Sequence, residues 1–197
     1  MSAEGLTRPH GHQERMQHVS PLDRAIMAAL VVGLAILFLR PFIAFQSYTR
    51  AYSFSELGFY ERAITHYKRA ILLDPKLAEA HSNLAFCYNK TGRISLAITT
   101  YREALSLNPQ DYQSHLEFGL LQYQGGDYRQ AAESFERFLE AKPDEVAILN
   151  LLALSYEKVG DAEKAILAWK RLLKEDPTSS MAREHLQRLE TPLAPKN

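Results

Sequence analysis

Residues 78–111 read AEAHSNLAFCYNKTGRISLAITTYREALSLNPQD, and this stretch decides the fold. Its first part, Glu79 to Tyr88, carries apolar residues at helical spacing and leads to Gly92. A glycine ends a helix there because it enters the left-handed conformation without the Cβ clash other residues suffer. A second stripe follows, in which Ile94, Ala97, Ile98, Tyr101, Ala104 and Leu105 recur as one buried helical face. Asn108-Pro109 closes it, since the residue before a proline is driven out of the α region. Two amphipathic helices and a short turn therefore fill 34 residues.

The same punctuation extends in both directions. Proline recurs every 34 residues at Pro75, Pro109, Pro143 and Pro177, and glycine at Gly58, Gly92, Gly126 and Gly160. Alanine keeps the step at Ala63, Ala97, Ala131 and Ala165, and an aromatic ring at Tyr67, Tyr101, Phe135 and Trp169. The alanines mark places where helices approach too closely for a larger side chain, and the rings fill the adjacent gap. Self-similarity at this period means stacked units, each burying its apolar face on the next. Such a stack presents an extended groove in place of an enclosed catalytic pocket.

These residues resemble the tetratricopeptide repeat, with a small residue in the first helix, alanine and an aromatic in the second, and a closing proline. The match runs over residues 44–179 in units 44–77, 78–111, 112–145 and 146–179. The second unit carries Leu84-Ala85, Tyr88, Gly92, Ala97, Tyr101, Ala104 and Pro109; the third carries Phe118-Gly119, Gly126, Tyr128, Ala131, Phe135 and Pro143. The fourth carries Leu152-Ala153, Tyr156, Gly160, Ala165, Trp169 and Pro177. The resemblance implies an all-α, right-handed α-solenoid of about four helix-turn-helix units with a concave, ligand-holding face. Three positions depart from the pattern. Arg50 stands where leucine is expected, which makes the first helix of the first unit atypical and allows it to continue from the preceding segment past Pro41. Gln122 replaces an aromatic, and Phe138 replaces a small residue, which should alter packing in the third unit.

Family members recognise ligands on the inner face of each unit's first helix. Carried over, those positions are Tyr48, Tyr52, Ser55 and Glu56, then Ser82, Asn83, Phe86, Asn89 and Lys90. Leu116, Leu120, Tyr123 and Gln124 follow, then Asn150, Leu154, Glu157 and Lys158. The candidate groove residues are Tyr52, Asn83, Phe86, Asn89, Lys90, Leu116, Leu120, Tyr123, Asn150, Leu154 and Glu157. Phe86, Leu120 and Leu154 have an alternative role as padding of the seam between helices. The lysine–asparagine clamp with which chaperone adaptors of this family grip a carboxylate falls on Tyr48/Tyr52, Ser82/Phe86, Leu116/Leu120 and Asn150/Leu154. None of these is cationic, so the expected ligand is an apolar segment or an amphipathic helix of a protein partner.

Ahead of the repeats, Ala25–Leu39 reads AIMAALVVGLAILFL. At about 1.5 Å per residue it spans roughly 22 Å, and extension to Phe45 approaches the ~30 Å of a bilayer core. Residues 25–45 are read as one transmembrane helix, with Arg40 snorkelling and Phe42, Phe45, Tyr48 and Tyr52 as an interfacial group. A cleaved signal peptide and a buried core helix are the rivals. Arg8, Arg15 and Arg24 precede the run, while Arg40 and Arg50 follow it. That slight excess leans the N-terminus to the cytoplasm and the repeats to the extracytoplasmic side. Residues 1–24 are expected as a flexible tail, 46–179 as the repeat domain, 180–190 as a capping helix and 191–197 as a disordered end. His10, His12 and His18 form a histidine cluster in the tail, but no structure there fixes them as metal ligands.

Composition narrows the function. Lys+Arg and Asp+Glu are equal at 23 each, so no basic field favours nucleic acid. The single cysteine, Cys87, sits in a helical stripe as a small filler. No glycine-rich phosphate loop, HExxH, CxxC or G-x-S-x-G occurs, and Glu133, Glu136 and Glu140 beside Arg129 and Arg137 read as a solvated helix face. The expectation is a non-enzymatic scaffold without cofactor or metal that assists assembly of a membrane or envelope complex. A regulatory or targeting subunit of a membrane enzyme complex, and a coat built by homo-oligomerisation, are the alternatives.

Overall fold

A computed structural model describes residues 20–191, and among them there are nine helices and no strand. The expected tail up to residue 19, its histidines, and the end from residue 192 lie outside the described residues. The chain divides into two compact units, residues 1–39 and 40–197.

The described part of the first unit is the beginning of α1 (Pro21–Glu56). The helix starts inside the stretch expected as tail. Ser20 and Asp23 form a reciprocal cap, with the Asp23 amide donating to Ser20 Oγ at 3.1 Å and the Ser20 amide to Asp23 Oδ2 at 3.3 Å. Pro21 takes the first helical position, where a missing N–H costs nothing. Within its own unit, every residue from Ala25 to Leu39 is exposed. The helix is long and apolar enough to cross a membrane. It continues without a break through Pro41, as the departure at Arg50 allowed.

The second unit contains the end of α1, then α2 (Tyr60–Leu73), α3 (Ala78–Lys90), α4 (Ile94–Leu107), α5 (Tyr112–Gln124) and α6 (Tyr128–Ala141). It continues with α7 (Val146–Val159), α8 (Ala162–Glu175) and α9 (Ser180–Glu190). From α2 onward each helix packs on the next. Gly58, Gly92, Gly126 and Gly160 all adopt the left-handed conformation, with φ between 75° and 84°, at the turn inside each helix pair. The turns between pairs are made differently. The residues capping α2, α4, α6 and α8 at their C-termini, Asp74, Asn108, Lys142 and Asp176, leave the α region, with ψ between 77° and 92°, each immediately before a proline. Each of those prolines offers a carbonyl that would otherwise be orphaned, and a side chain caps every one. The His81 and His115 rings donate Nε2–H to Pro75 O and Pro109 O at 3.1 Å, while Arg171 and Arg183 reach Pro143 O and Pro177 O at 2.7 Å.

The repeating alanines Ala63, Ala97, Ala131 and Ala165 are completely buried, and so in effect are Tyr67, Tyr101, Phe135 and Trp169. The core falls into two clusters. One joins Ala51, Tyr67, Cys87 and Tyr101 to Phe118 and Leu121; the other joins Phe135, Phe138 and Leu149 to Trp169 and Leu186. The departures in the third unit have a local explanation. Gln122 is buried but satisfied, donating to Gln130 Oε1 at 2.9 Å and accepting from Ser134 Oγ at 2.8 Å. Phe138 is absorbed into the second cluster.

Candidate docking groove

The first helices of successive units supply the predicted groove. Tyr52, Asn83 and Phe86 come together at a cavity of about 380 Å³ built from α1, α3 and α5. Tyr48 and Tyr52 stack with centroids 6.5 Å apart, and Asn83 Nδ2 donates to the Tyr48 hydroxyl at 3.2 Å. Burial, and after it the Glu79 carboxylate, push the Tyr48 phenol above its ordinary range. Phe86 meets Tyr60 edge-on at 6.2 Å, and Lys90 holds its ammonium 5.0 Å from the Phe86 ring centroid. Asn89 is half-buried on the same helix.

The other candidate positions are engaged differently. Leu116, Leu120, Tyr123 and Leu154 are half-buried and pack against the second core cluster. They therefore serve the seam between helices while keeping part of their surface open. Asn150 leaves its Oδ1 buried without a partner, an acceptor whose isolation carries the cost of desolvation. Glu157 is committed to the terminal helix. Its carboxylate accepts from Trp169 Nε1 at 2.7 Å and from His185 Nδ1 at 2.6 Å, and it also pairs with Arg188. His185 in turn packs on the Trp169 indole at 4.7 Å.

The cavity also holds residues that sequence reasoning passed over: Glu79, Asp111, Gln113, Ser114 and Glu117. Glu117 was within reach, because it stands one repeat after Asn83 in the 34-residue register. Asp111 caps α5, its Oδ1 accepting from the Ser114 amide at 3.1 Å and its Oδ2 from Ser82 Oγ at 2.8 Å and Ser114 Oγ at 2.6 Å. That three-residue knot links α3 to α5 and had no signal beyond an aspartate preceding a helix. Cys87 is fully buried, and burial pushes its thiol above the ordinary value. Burial keeps it out of reach of a substrate and in the protonated form, which is not the nucleophile. Among the described residues no group of His, Cys, Asp or Glu converges as a metal site.

Comparison with known proteins follows the same boundaries. Residues 78–111 and 116–180 match tetratricopeptide repeat family models, and residues 51–92 match a TPR repeat model. No curated protein matches the sequence. Among solved structures, MamA from Desulfovibrio magneticus RS-1 is 20% identical with a TM-score of 0.61, over 74% of this chain and 82% of that one. Another MamA crystal structure is 21% identical with a TM-score of 0.61, over 80% and 95% of the two chains. PilF from Pseudomonas aeruginosa is 18% identical with a TM-score of 0.55, over 76% and 68%. At these identities the likeness speaks for the fold alone.

Proposed function

The chain belongs to the tetratricopeptide repeat family, and on that premise we propose that it is a membrane-tethered scaffold that docks a segment of a partner protein in its groove. The observation that carries the reading is the cavity built jointly by α1, α3 and α5. A site assembled from three successive first helices suits an extended or helical polypeptide running across the units. The half-buried Leu116, Leu120 and Leu154 continue this face toward the fourth unit, where the apolar side of an amphipathic helix would cover them. The exposed run Ala25–Leu39 supports a tether. Held at a surface, the groove raises the effective concentration of its partner and helps a complex assemble. The arginine distribution favours repeats on the extracytoplasmic side.

Full-length chain drawn from gently solubilised membranes tests the docking. Replacing Phe86 and Leu120 together by alanine should strip specific proteins from the co-purifying set, while far-UV circular dichroism stays helical. An unchanged set would remove the groove from the account. Reporters fused at each terminus test the tether: an extracytoplasmic C-terminus is expected, and a cytoplasmic one would reverse the orientation.

A further inference from the structure

The cavity at α1, α3 and α5 has a chemistry that the apolar half of the groove does not share. Four carboxylates line it, Glu56, Glu79, Asp111 and Glu117, and no lysine or arginine does. None of the four takes part in an ion pair among the described residues. Lys90 lies against Phe86 but does not line the cavity. The carboxylates do not converge closely enough to hold one metal ion. A dispersed negative rim around a partly desolvated space calls for an extended cation.

The walls point the same way. Tyr48, Tyr52 and Phe86 line the cavity, and aromatic rings attract cations through their quadrupole. Tyr101 lines the cavity as well, although it is only 1% exposed. The field of the rim reaches it: its phenol is held far above the ordinary range, first by burial and then by Glu117 and Asp111.

We propose that this cavity receives an arginine side chain of the docked partner segment, its guanidinium laid against the aromatic walls and paired with Glu79 and Glu117. Arginine suits the site better than lysine because its guanidinium is planar, stacks on rings, is weakly hydrated and carries donors in a fork matched to carboxylates. The inference rests on the docking function above and names the partner's chemistry at one end of the groove.

The test uses the full-length chain in detergent micelles and synthetic peptide pools of equal length. Each pool is randomised except for a central Arg, Lys, Gln or Leu. In fluorescence anisotropy the Arg pool should bind about tenfold tighter than the Gln pool, with the gap narrowing at about 0.5 M salt. The Glu79→Gln, Glu117→Gln pair should level the two pools while the helical circular dichroism is unchanged. Tyr52→Ala, which alters no charge, should reduce the Arg preference by about threefold or more. Equal binding of all pools by the wild type would overturn the arginine site and leave docking intact, and an Arg preference that survives the double substitution would overturn its placement. Binding of no pool at all would overturn both readings.

Discussion

Gly119 shows how far a single residue can be read from sequence. Its place in the repeat pattern marked it as small, but the reason is spatial. A Cβ there would lie 2.8 Å from Phe135 Cε1 and 3.1 Å from Ser134 Cβ. Gly119→Ala should therefore cost about 1–3 kcal/mol through overpacking, read as a lowered midpoint of chemical denaturation. Tyr67 is the opposite case: its ring was legible as core filler, while its hydroxyl, buried without a partner, was not. Tyr67→Phe should stabilise the protein by about 1 kcal/mol by removing that unsatisfied group. Burial also holds the Tyr67, Tyr101 and Tyr156 phenols above their ordinary value. Above a pH of about 10 the unfolded chain loses these protons while the folded chain keeps them. The folded state then binds more protons than the unfolded one, so stability is fully present below that pH and falls as pH rises past it. Denaturation titrations across the alkaline range should show this slope, and Tyr67→Phe should make it shallower.

At the scale of elements, the two ends of each helix differ in how plainly they are written. Gly92 and Asn108-Pro109 announced the stops of α3 and α4, because glycine and proline act through local backbone sterics. The knots that join one element to another were hidden, since they depend on side chains far apart in sequence. The Asp111–Ser82–Ser114 link between α3 and α5 is one such knot. The other is α9. Residues 180–190 were expected as a capping helix, but nothing local in the sequence marked His185 and Arg188 as the side chains that bind Glu157 beneath. Trp169 is the only tryptophan in the chain and packs on His185, so its emission reports on this joint directly. A chain ending at Ser179 should show a red-shifted Trp169 emission and lose at least about 2 kcal/mol of stability, the burial of Leu186 alone being worth that much.

For the whole molecule, period and register were legible because every unit repeats the same packing problem, and the 34-residue step survives in the buried alanines and rings. The electrostatics of the groove were less so. An apolar inner face was expected from Leu116, Leu120 and Leu154, yet these are half-buried in the second core cluster, and the open cavity in the first half is rimmed by carboxylates. Division of the core into two clusters has a thermodynamic consequence, because a repeat array is only as cooperative as its internal interfaces. Leu149→Ala removes a fully buried side chain from the second cluster and should cost about 2–5 kcal/mol. It should also let Trp169 fluorescence report a transition at lower denaturant than circular dichroism reports for the first cluster. The claim that the groove docks a partner is most directly tested by photo-crosslinking in intact membranes, with a benzophenone amino acid placed at Tyr52 or at the exposed Leu167 on α8. The account predicts one discrete adduct from position 52, lost in the Phe86→Ala, Leu120→Ala background, and none from position 167. Adducts of equal yield at both positions, or none at position 52, would contradict it.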